Sequence, residues 1–407
     1  MDGITIACIQ HRMSIPATRE EFESVARRFL RQARAKAAQI TVFPEHSGLM
    51  LAPPLISGLK LGFVKRADQA KRPRAGLLSR SLGGLSQVAA EALGGGFRGS
   101  VGRLARKNSD FLLDLYFDVM GNLAREFSTA IVGGSLYLYD AESESLRHRV
   151  YLFDADGQVL GYQDKLNLTP DELDLATPGT ELKVLQSRQG RLGLLIGRDA
   201  LYPELARLLA VQGADLIIGV AAIPGAAQAR LIRSAMALRA EENQVYTTST
   251  FLLGPNYLGK EESEEYFGQS AIMAPLRLSE RSNGVLVQAG TNRTEGVIAA
   301  ELDMNALYAL RETSYFRPRQ EMNLGDMGPI LAEMYRQGLT IDEALETQLA
   351  GPTAPPPTFA PLAELEPGPQ PEAAAAEEES AEAESEPSIP DAPSLSPSPD
   401  EETAEEE

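Results

Sequence analysis

The feature that most restricts this chain is a regular alternation of short apolar runs with longer amphipathic ones. "ITIACIQ" is apolar on both faces, as a strand covered on both sides would be. "TREEFESVARRFLRQARAKAAQ" follows, with Phe22, Val25, Phe29, Ala33 and Ala37 on one helical stripe and Thr18 and Glu21 at capping-box spacing. "ITVFPE" is a second strand, ended by Pro44. After an interruption come a helix, "DFLLDLYFDVMGNLAREF", and the strands "TAIVGGSLYLYD" and "RHRVYLFDADGQVLGYQDK", the latter turning at "DADG". Strand "RLGLLIG", helix "PELARLLAVQG", strand "ADLIIGVA", helix "AQARLIRSAMALRAEENQ" and strand "VYTTSTFLL" continue the pattern. Strands in "FGQSAIMAPL" and "GVIAAELD" and a helix in "MNALYALRE" complete it. Such alternation, with no internal repeat, predicts a layered α/β domain.

Two segments break the rhythm. Residues 52–109 are rich in Gly, Leu and Arg, and residues 58–107 hold 11 Lys/Arg against Asp68 and Glu91, a net charge of +9. They read as short helices inserted into the domain, able to cover a pocket, make a subunit contact or present a basic face. That face is either simply solvated or suited to an anionic membrane surface. Nothing beyond charge points to nucleic acid. Residues 351–407 are rich in Pro, Ala and Glu and carry 16 acidic residues with no Lys or Arg. With few large apolar side chains they cannot offset their ordering entropy, which predicts a disordered, solubilising tail. The chain's net charge of −19 thus belongs mainly to the tail, and residues 1–350, the expected folded domain, carry −3.

No basic leader precedes "ITIACIQ", and no run of about 18 apolar residues is present, so a cytoplasmic protein is expected. The single cysteine, Cys8, cannot form an internal disulfide and fits a reducing compartment. The only histidines, His11, His46 and His148, are far apart in sequence. A Cys/His zinc site would need more ligands than the chain owns, and no metal or cofactor is expected.

Three apolar strands end on polar groups: "ITVFPEHS" on Glu45, "LGYQDKLNLTPDE" on Lys165 and Glu172, and "LLIGRDALYPE" at Gly197. Strand ends are where α/β proteins place their sites. Singly, each has a plain structural explanation, as a strand terminator or a solvated lysine. In this order they resemble the nitrilase superfamily of carbon–nitrogen hydrolases, over about Ile4 to Met322. The resemblance includes the first strand ending in Gln10, Asp199 and Glu204 of the "D..YPE" block, "RSAMALRAEENQVY", "FGQSAI" and "AELDMNALYALRE".

The resemblance implies a four-layer αββα sandwich, assembly into homo-oligomers, and a Glu–Lys–Cys site that hydrolyses a nitrile, amide or carbamoyl bond. In such a site a thiol attacks carbon after a carboxylate takes its proton, and an ammonium stabilises the charge that develops. Carried over, Glu45 is the base and Lys165 the electrostatic stabiliser. Glu172 is the second carboxylate, positioning Lys165 and the leaving group.

The nucleophile's position falls on Gly197. Ile196, Arg198 and Asp199 beside it offer no thiol, and Cys8 lies inside the first strand, where a small thiol packs. Gly197 also has an ordinary reading, as a glycine permitting a tight turn. Three readings follow. The chain is a catalytically inactive relative that binds a small amide- or carboxylate-like ligand or a protein partner. Or it is a hydrolase using water activated by Glu45. Or it is a peripheral membrane or scaffold protein acting through residues 58–107.

Overall fold

β1 (Ile4–Arg12) runs through the middle of the fold in the computed structural model, which describes residues 3–52, 96–141, 143–259, 264–321 and 324–337. Most of the 52–109 insertion, and all of the tail expected over 351–407, lie outside those residues. β1 pairs parallel with β2 (Ile40–Val42) on one side, and antiparallel with a late strand, from Ile4 opposite Leu302 to Gln10 opposite Gly296, on the other. Between β1 and β2 lies α1 (Arg19–Ala35). Its stripe differs from the simplest reading of the sequence: Phe22, Ala26, Phe29, Leu30 and Ala33 are buried, whereas Val25 is 37% exposed. Ala37 lies beyond the helix end, at φ 56°. The capping box forms by half. Thr18 Oγ1 accepts the Glu21 N–H at 3.2 Å, but the Glu21 carboxylate takes the N–H of Ala17 rather than that of Thr18.

The chain continues through α2 (Gly96–Lys107), the described end of the insertion, into α3 (Ser109–Phe127) and β3 (Ala130–Asp140). β4 (Ser145–Phe153) and β5 (Val159–Asp164) form the hairpin that "DADG" closes, with Gly157 at φ 76°. Next come α4 (Pro170–Leu173), β6 (Leu185–Ser187), β7 (Gly190–Ile196), α5 (Pro203–Val211), β8 (Leu216–Ala221) and β9 (Ile223–Pro224). α6 (Ala226–Asn243), β10 (Tyr246–Leu253), β11 (Tyr266–Phe267), β12 (Ala271–Met273), β13 (Val285–Gln288), β14 (Gly296–Leu302), α7 (Met304–Thr313) and α8 (Pro318–Glu321) follow.

The strand order is β5-β4-β3-β2-β1-β10-β8-β7-β6, with β14 added to β1, and β12 and β13 beyond β10. Among the described residues the strands of the two halves hydrogen-bond to each other only at the end of β1, where His11 and Arg12 pair with Leu252 and Leu253. Each half is therefore a sheet in its own right, and their inner faces stack. Ile6, Cys8, Val42, Val132 and Leu152 of one meet Leu194, Ile196, Ile218 and Val220 of the other. The outer faces are closed by helices. Phe22, Phe29, Leu112, Tyr116 and Leu123 of α1 and α3 cover the first sheet, and Ala206, Leu209, Ile232 and Met236 of α5 and α6 cover the second. The result is a four-layer αββα arrangement built from the alternation in the sequence.

Chain contacts divide into a unit ending at Leu324 and another from Gly325 onward. In the second unit α9 (Leu324–Gln337) is described, with Arg336 Nη2 on Glu333 Oε1 at 2.6 Å. Among the described residues no helix is long and apolar enough to cross a membrane.

Candidate active site

The three strand ends singled out in the sequence come together. Glu45 follows β2 and is fully buried. Its Oε1 accepts Lys165 Nζ at 2.7 Å, and its Oε2 accepts the N–H of Ala222, the residue after β8, at 2.5 Å. Lys165 directly follows β5, its own N–H fixed to His148 O at 2.8 Å, and its Nζ also donates to Glu172 Oε1 at 2.6 Å. Glu172 is held by local sequence. In "TPDE" Thr169 caps α4, Pro170 opens it, and the capping box closes both ways. The Glu172 N–H goes to Thr169 Oγ1 at 3.2 Å and the Thr169 N–H to Glu172 Oε2 at 2.8 Å. One carboxylate therefore both caps a helix and grips the lysine.

Burial alone would raise the Glu172 carboxyl and lower the Lys165 ammonium. Instead, the Lys165 ammonium holds Glu172 well below the carboxylate range, while Glu172 and Glu45 hold Lys165 above its ordinary value. Both therefore stay charged. Removing one member of such a buried group leaves an uncompensated charge, at a cost of about 3–5 kcal/mol.

Gly197 ends β7 at φ 54°, a left-handed conformation that costs an L-residue about 1–2 kcal/mol. A Cβ built on it would stand 2.9 Å from Lys165 Nζ and 3.1 and 3.2 Å from the two Glu45 oxygens. The lysine and the glutamate converge on the point where a side chain would be. Two residues on, buried Asp199 accepts the N–H groups of Leu166 at 3.2 Å and Asn167 at 2.7 Å, Asn167 Nδ2 at 2.9 Å, and the Ile196 N–H at 3.4 Å. This acid ties the loop after Lys165 to the corner at Gly197, a positioning role the sequence alone did not assign. Cys8 is elsewhere, fully buried between the sheets, its thiol pushed up to about 12 by burial.

Sequence spacing misleads about the histidines. His148 faces Tyr137 across the β3–β4 pair, and its ring stacks on that of His46 at 4.9 Å and 7°. Ser135 Oγ accepts the His46 N–H at 2.7 Å and lies 2.6 Å from His148 Nε2. His148 Nδ1 is 3.2 Å from Glu172 Oε1 and 3.8 Å from Glu45 Oε1, yet neither oxygen is aligned for a hydrogen bond. His46 Nδ1 also has no partner. Leaving a buried polar atom unsatisfied costs about 1–3 kcal/mol. Burial holds both imidazoles below their ordinary range, His46 at about 3, so both are neutral. One nitrogen of each ring and one oxygen of Glu45 and of Glu172 lie within 4.8 Å of one another, a grouping the sequence spacing did not suggest. His11 stays outside this group, bonded through Nε2 to Ser47 Oγ at 2.8 Å.

His46, Lys165 and Glu172 border a cavity of about 70 Å³, walled also by Arg98, Tyr137, Arg198, Asn256 and Tyr266. A water needs about 10–15 Å³, so the space suits a few waters or a small ligand. Arg98, on α2, bonds to Asp171 O and lies 3.5 Å from Asp174, which brings the described end of the insertion to the cavity wall.

The carbon–nitrogen hydrolase family profile matches residues 100–312, just over half of the 407-residue chain; Lys165, Glu172 and Gly197 lie inside the match and Glu45 before it. The chain is 28% identical over 204 residues to a protein of Bacillus subtilis named "Probable hydrolase YhcX", covering 50% of this chain and 39% of that one. It is 26% identical over 205 residues to the omega-amidase NIT3 of Saccharomyces cerevisiae, covering 47% of this chain and 65% of that one. The chain thus spans less than two thirds of either relative. In fold it is similar to the crystal structure of S. cerevisiae Nit3, a nitrilase-superfamily member, with a TM-score of 0.54 at 20% identity over 79% of this chain and 97% of that one. It is also similar to a cysteine-to-alanine mutant of the amidase of Nesterenkonia sp. AN1 in complex with butyramide, with a TM-score of 0.53 at 19% identity over 76% of this chain and 95% of that one. The profile match and the shared fold agree, and the chain belongs to the carbon–nitrogen hydrolase family.

Proposed function

We propose that this chain keeps the frame and the charged site of a carbon–nitrogen hydrolase without its nucleophile, and holds a small amide- or carboxylate-bearing ligand without bonding to it. The observation that carries this reading is the point of convergence at Gly197. A side chain there would touch both Lys165 and Glu45, and the chain's one thiol is buried in β1. In this reading Glu45, Lys165 and Glu172 correspond to the base, the stabilising ammonium and the second carboxylate, and Gly197 stands where the reactive cysteine would be.

The relatives support the ligand class. NIT3 is named an omega-amidase, and the Nesterenkonia amidase was crystallised with butyramide in a form lacking a cysteine. Lys165 and Arg98 at the cavity wall favour a ligand with a polar or anionic oxygen.

The test restores the missing atom. Gly197→Cys places a thiol beside Lys165, whose charge favours the thiolate. Iodoacetamide should label that thiol faster than Cys8, and the rate should fall in the double variant with Lys165→Met. The strain of φ 54° lowers the stability of the variant without removing the thiol from the site. Labelling indifferent to both Lys165→Met and Glu45→Gln would mean that Gly197 does not occupy the nucleophile's place.

A further inference from the structure

We infer that Glu45, His46, His148 and Glu172 form a binding site for one divalent transition-metal ion, independently of whether the cavity turns over an amide. One donor atom from each residue lies within 4.8 Å of the others, a spread that side-chain adjustments close around an ion. A mixed set of imidazole nitrogens and carboxylate oxygens suits zinc and its first-row neighbours rather than magnesium or calcium, which take oxygen.

A second observation points the same way. His46 Nδ1 and His148 Nδ1 are buried without hydrogen-bond partners among the described residues, whereas Glu45, Lys165, Glu172 and Ser135 beside them are all hydrogen-bonded. Buried donors or acceptors left over in this manner are what an absent ligand leaves behind.

The surroundings hold the four ligands as a metal site requires. The Ala222 N–H fixes Glu45 Oε2, and the Thr169 N–H fixes Glu172 Oε2. Ser135 Oγ, 2.6 Å from His148 Nε2, can accept a hydrogen bond from an Nε2–H, the tautomer that leaves Nδ1 free to ligate. The stacked rings, 7° from parallel, are locked in orientation. Within the group two carboxylates, Glu45 and Glu172, face the single ammonium of Lys165.

Lys165 Nζ already sits on Oε1 of both glutamates, so it competes with the ion for the same oxygens. This gives the proposal a consequence that a general affinity for metals lacks. Removing the lysine should tighten metal binding, and removing either histidine should weaken it.

The experiment uses the full chain, stripped of metal with a chelator. It is titrated with zinc chloride by calorimetry and with cobalt chloride by visible absorption, and the fold of each variant is checked by circular dichroism. One equivalent of zinc should bind, cobalt should give a visible band, and excess magnesium should not compete. His46→Ala and His148→Ala should each weaken zinc at least ~10-fold and remove the band, since even outer-shell changes cost 10–100-fold. Lys165→Met should bind at least as tightly as the unmodified chain. No zinc binding by the full chain would overturn the proposal. So would affinity unchanged in both histidine variants, which would place the ion elsewhere, or loss of binding in folded Lys165→Met.

Discussion

β8 carries a buried charged centre at each end, and the two are built on opposite plans. Just before it, Asp215 accepts Arg311 Nη1 at 2.6 Å, Arg191 Nε at 3.2 Å and the Tyr308 hydroxyl at 3.3 Å. The surrounding arginines also donate to carbonyls, Arg311 Nε to Gln244 O at 3.0 Å and Arg319 Nη2 to Ala214 O at 2.5 Å. One acid there is shared among several donors, and the effect is to clamp α7 onto the sheet. Just after β8, the Ala222 N–H binds Glu45, and here two acids share one ammonium, next to two imidazoles with unused nitrogens and a cavity. The first centre shares one acid among several donors, although Arg311 Nη2 has no partner among the described residues, and the second pairs two acids with one ammonium beside a cavity on whose wall Arg98 and Arg198 also stand. Ligand sites in open α/β sheets lie at the carboxyl ends of strands, and the contrast shows what distinguishes that end physically: capacity left unfilled.

The contrast predicts unequal tolerance. Lys165→Met leaves Glu45 and Glu172 buried without a cation and should cost about 3–5 kcal/mol. Arg311→Met leaves Asp215 with Arg191 and Tyr308 and should cost less, about 1–3 kcal/mol. Urea midpoints of the two variants decide it, and a larger loss for Arg311→Met would break the comparison.

A smaller effect concerns acid. His46, held near 3 by burial, stays neutral when folded but takes up a proton when unfolded. A group whose folded value is depressed gives its full stability above its unfolded value and loses it as pH falls. Between pH 7 and 5 His46 alone should therefore remove about 2 kcal/mol. Glu172, also depressed, acts only lower, below the ordinary carboxylate range. His46→Asn, a residue that tolerates the φ of 65° at this position, should flatten the loss measured by urea unfolding at pH 7 and pH 5. An unchanged slope would show that His46 is not buried as described.

The smallest effect is at the cap. Thr169→Val removes the hydroxyl that receives the Glu172 N–H and should lower stability by about 1 kcal/mol. A thermal melt of the variant reads it, and a shift as large as that of Lys165→Met would mean that Thr169 does more than cap.

Much of this was legible in the residues. The alternation of apolar and amphipathic runs foretold the layers, and Glu45, Lys165 and Glu172, picked out at strand ends and by the family resemblance, lie within hydrogen-bonding reach of one another. What was not legible is what depends on registry between distant strands. His46 and His148 are stacked because β3 and β4 pair Tyr137 with His148, and no local pattern carries that. The one available signal was that His46 directly follows the candidate base. The α1 stripe was misjudged by one position, Val25 for Ala26, because a 3.6-residue period fits both until the neighbouring sheet decides. Asp199 was noted only as part of a block, since the N–H groups it gathers come from a loop about thirty residues earlier.

The central claim is that a hydrolase site has been kept without its nucleophile. The most direct measurement incubates the unmodified chain with short aliphatic amides, a nitrile and an N-carbamoyl amine, following ammonia release and the intact mass of the protein. Loss of a nucleophile costs on the order of 10⁶ in turnover in a serine protease, leaving roughly 10³–10⁴ over water. The account predicts no ammonia above background and no covalent adduct at any time point. Sustained ammonia release by the unmodified chain, abolished by Glu45→Gln, would contradict it and establish a hydrolase that uses water activated by Glu45.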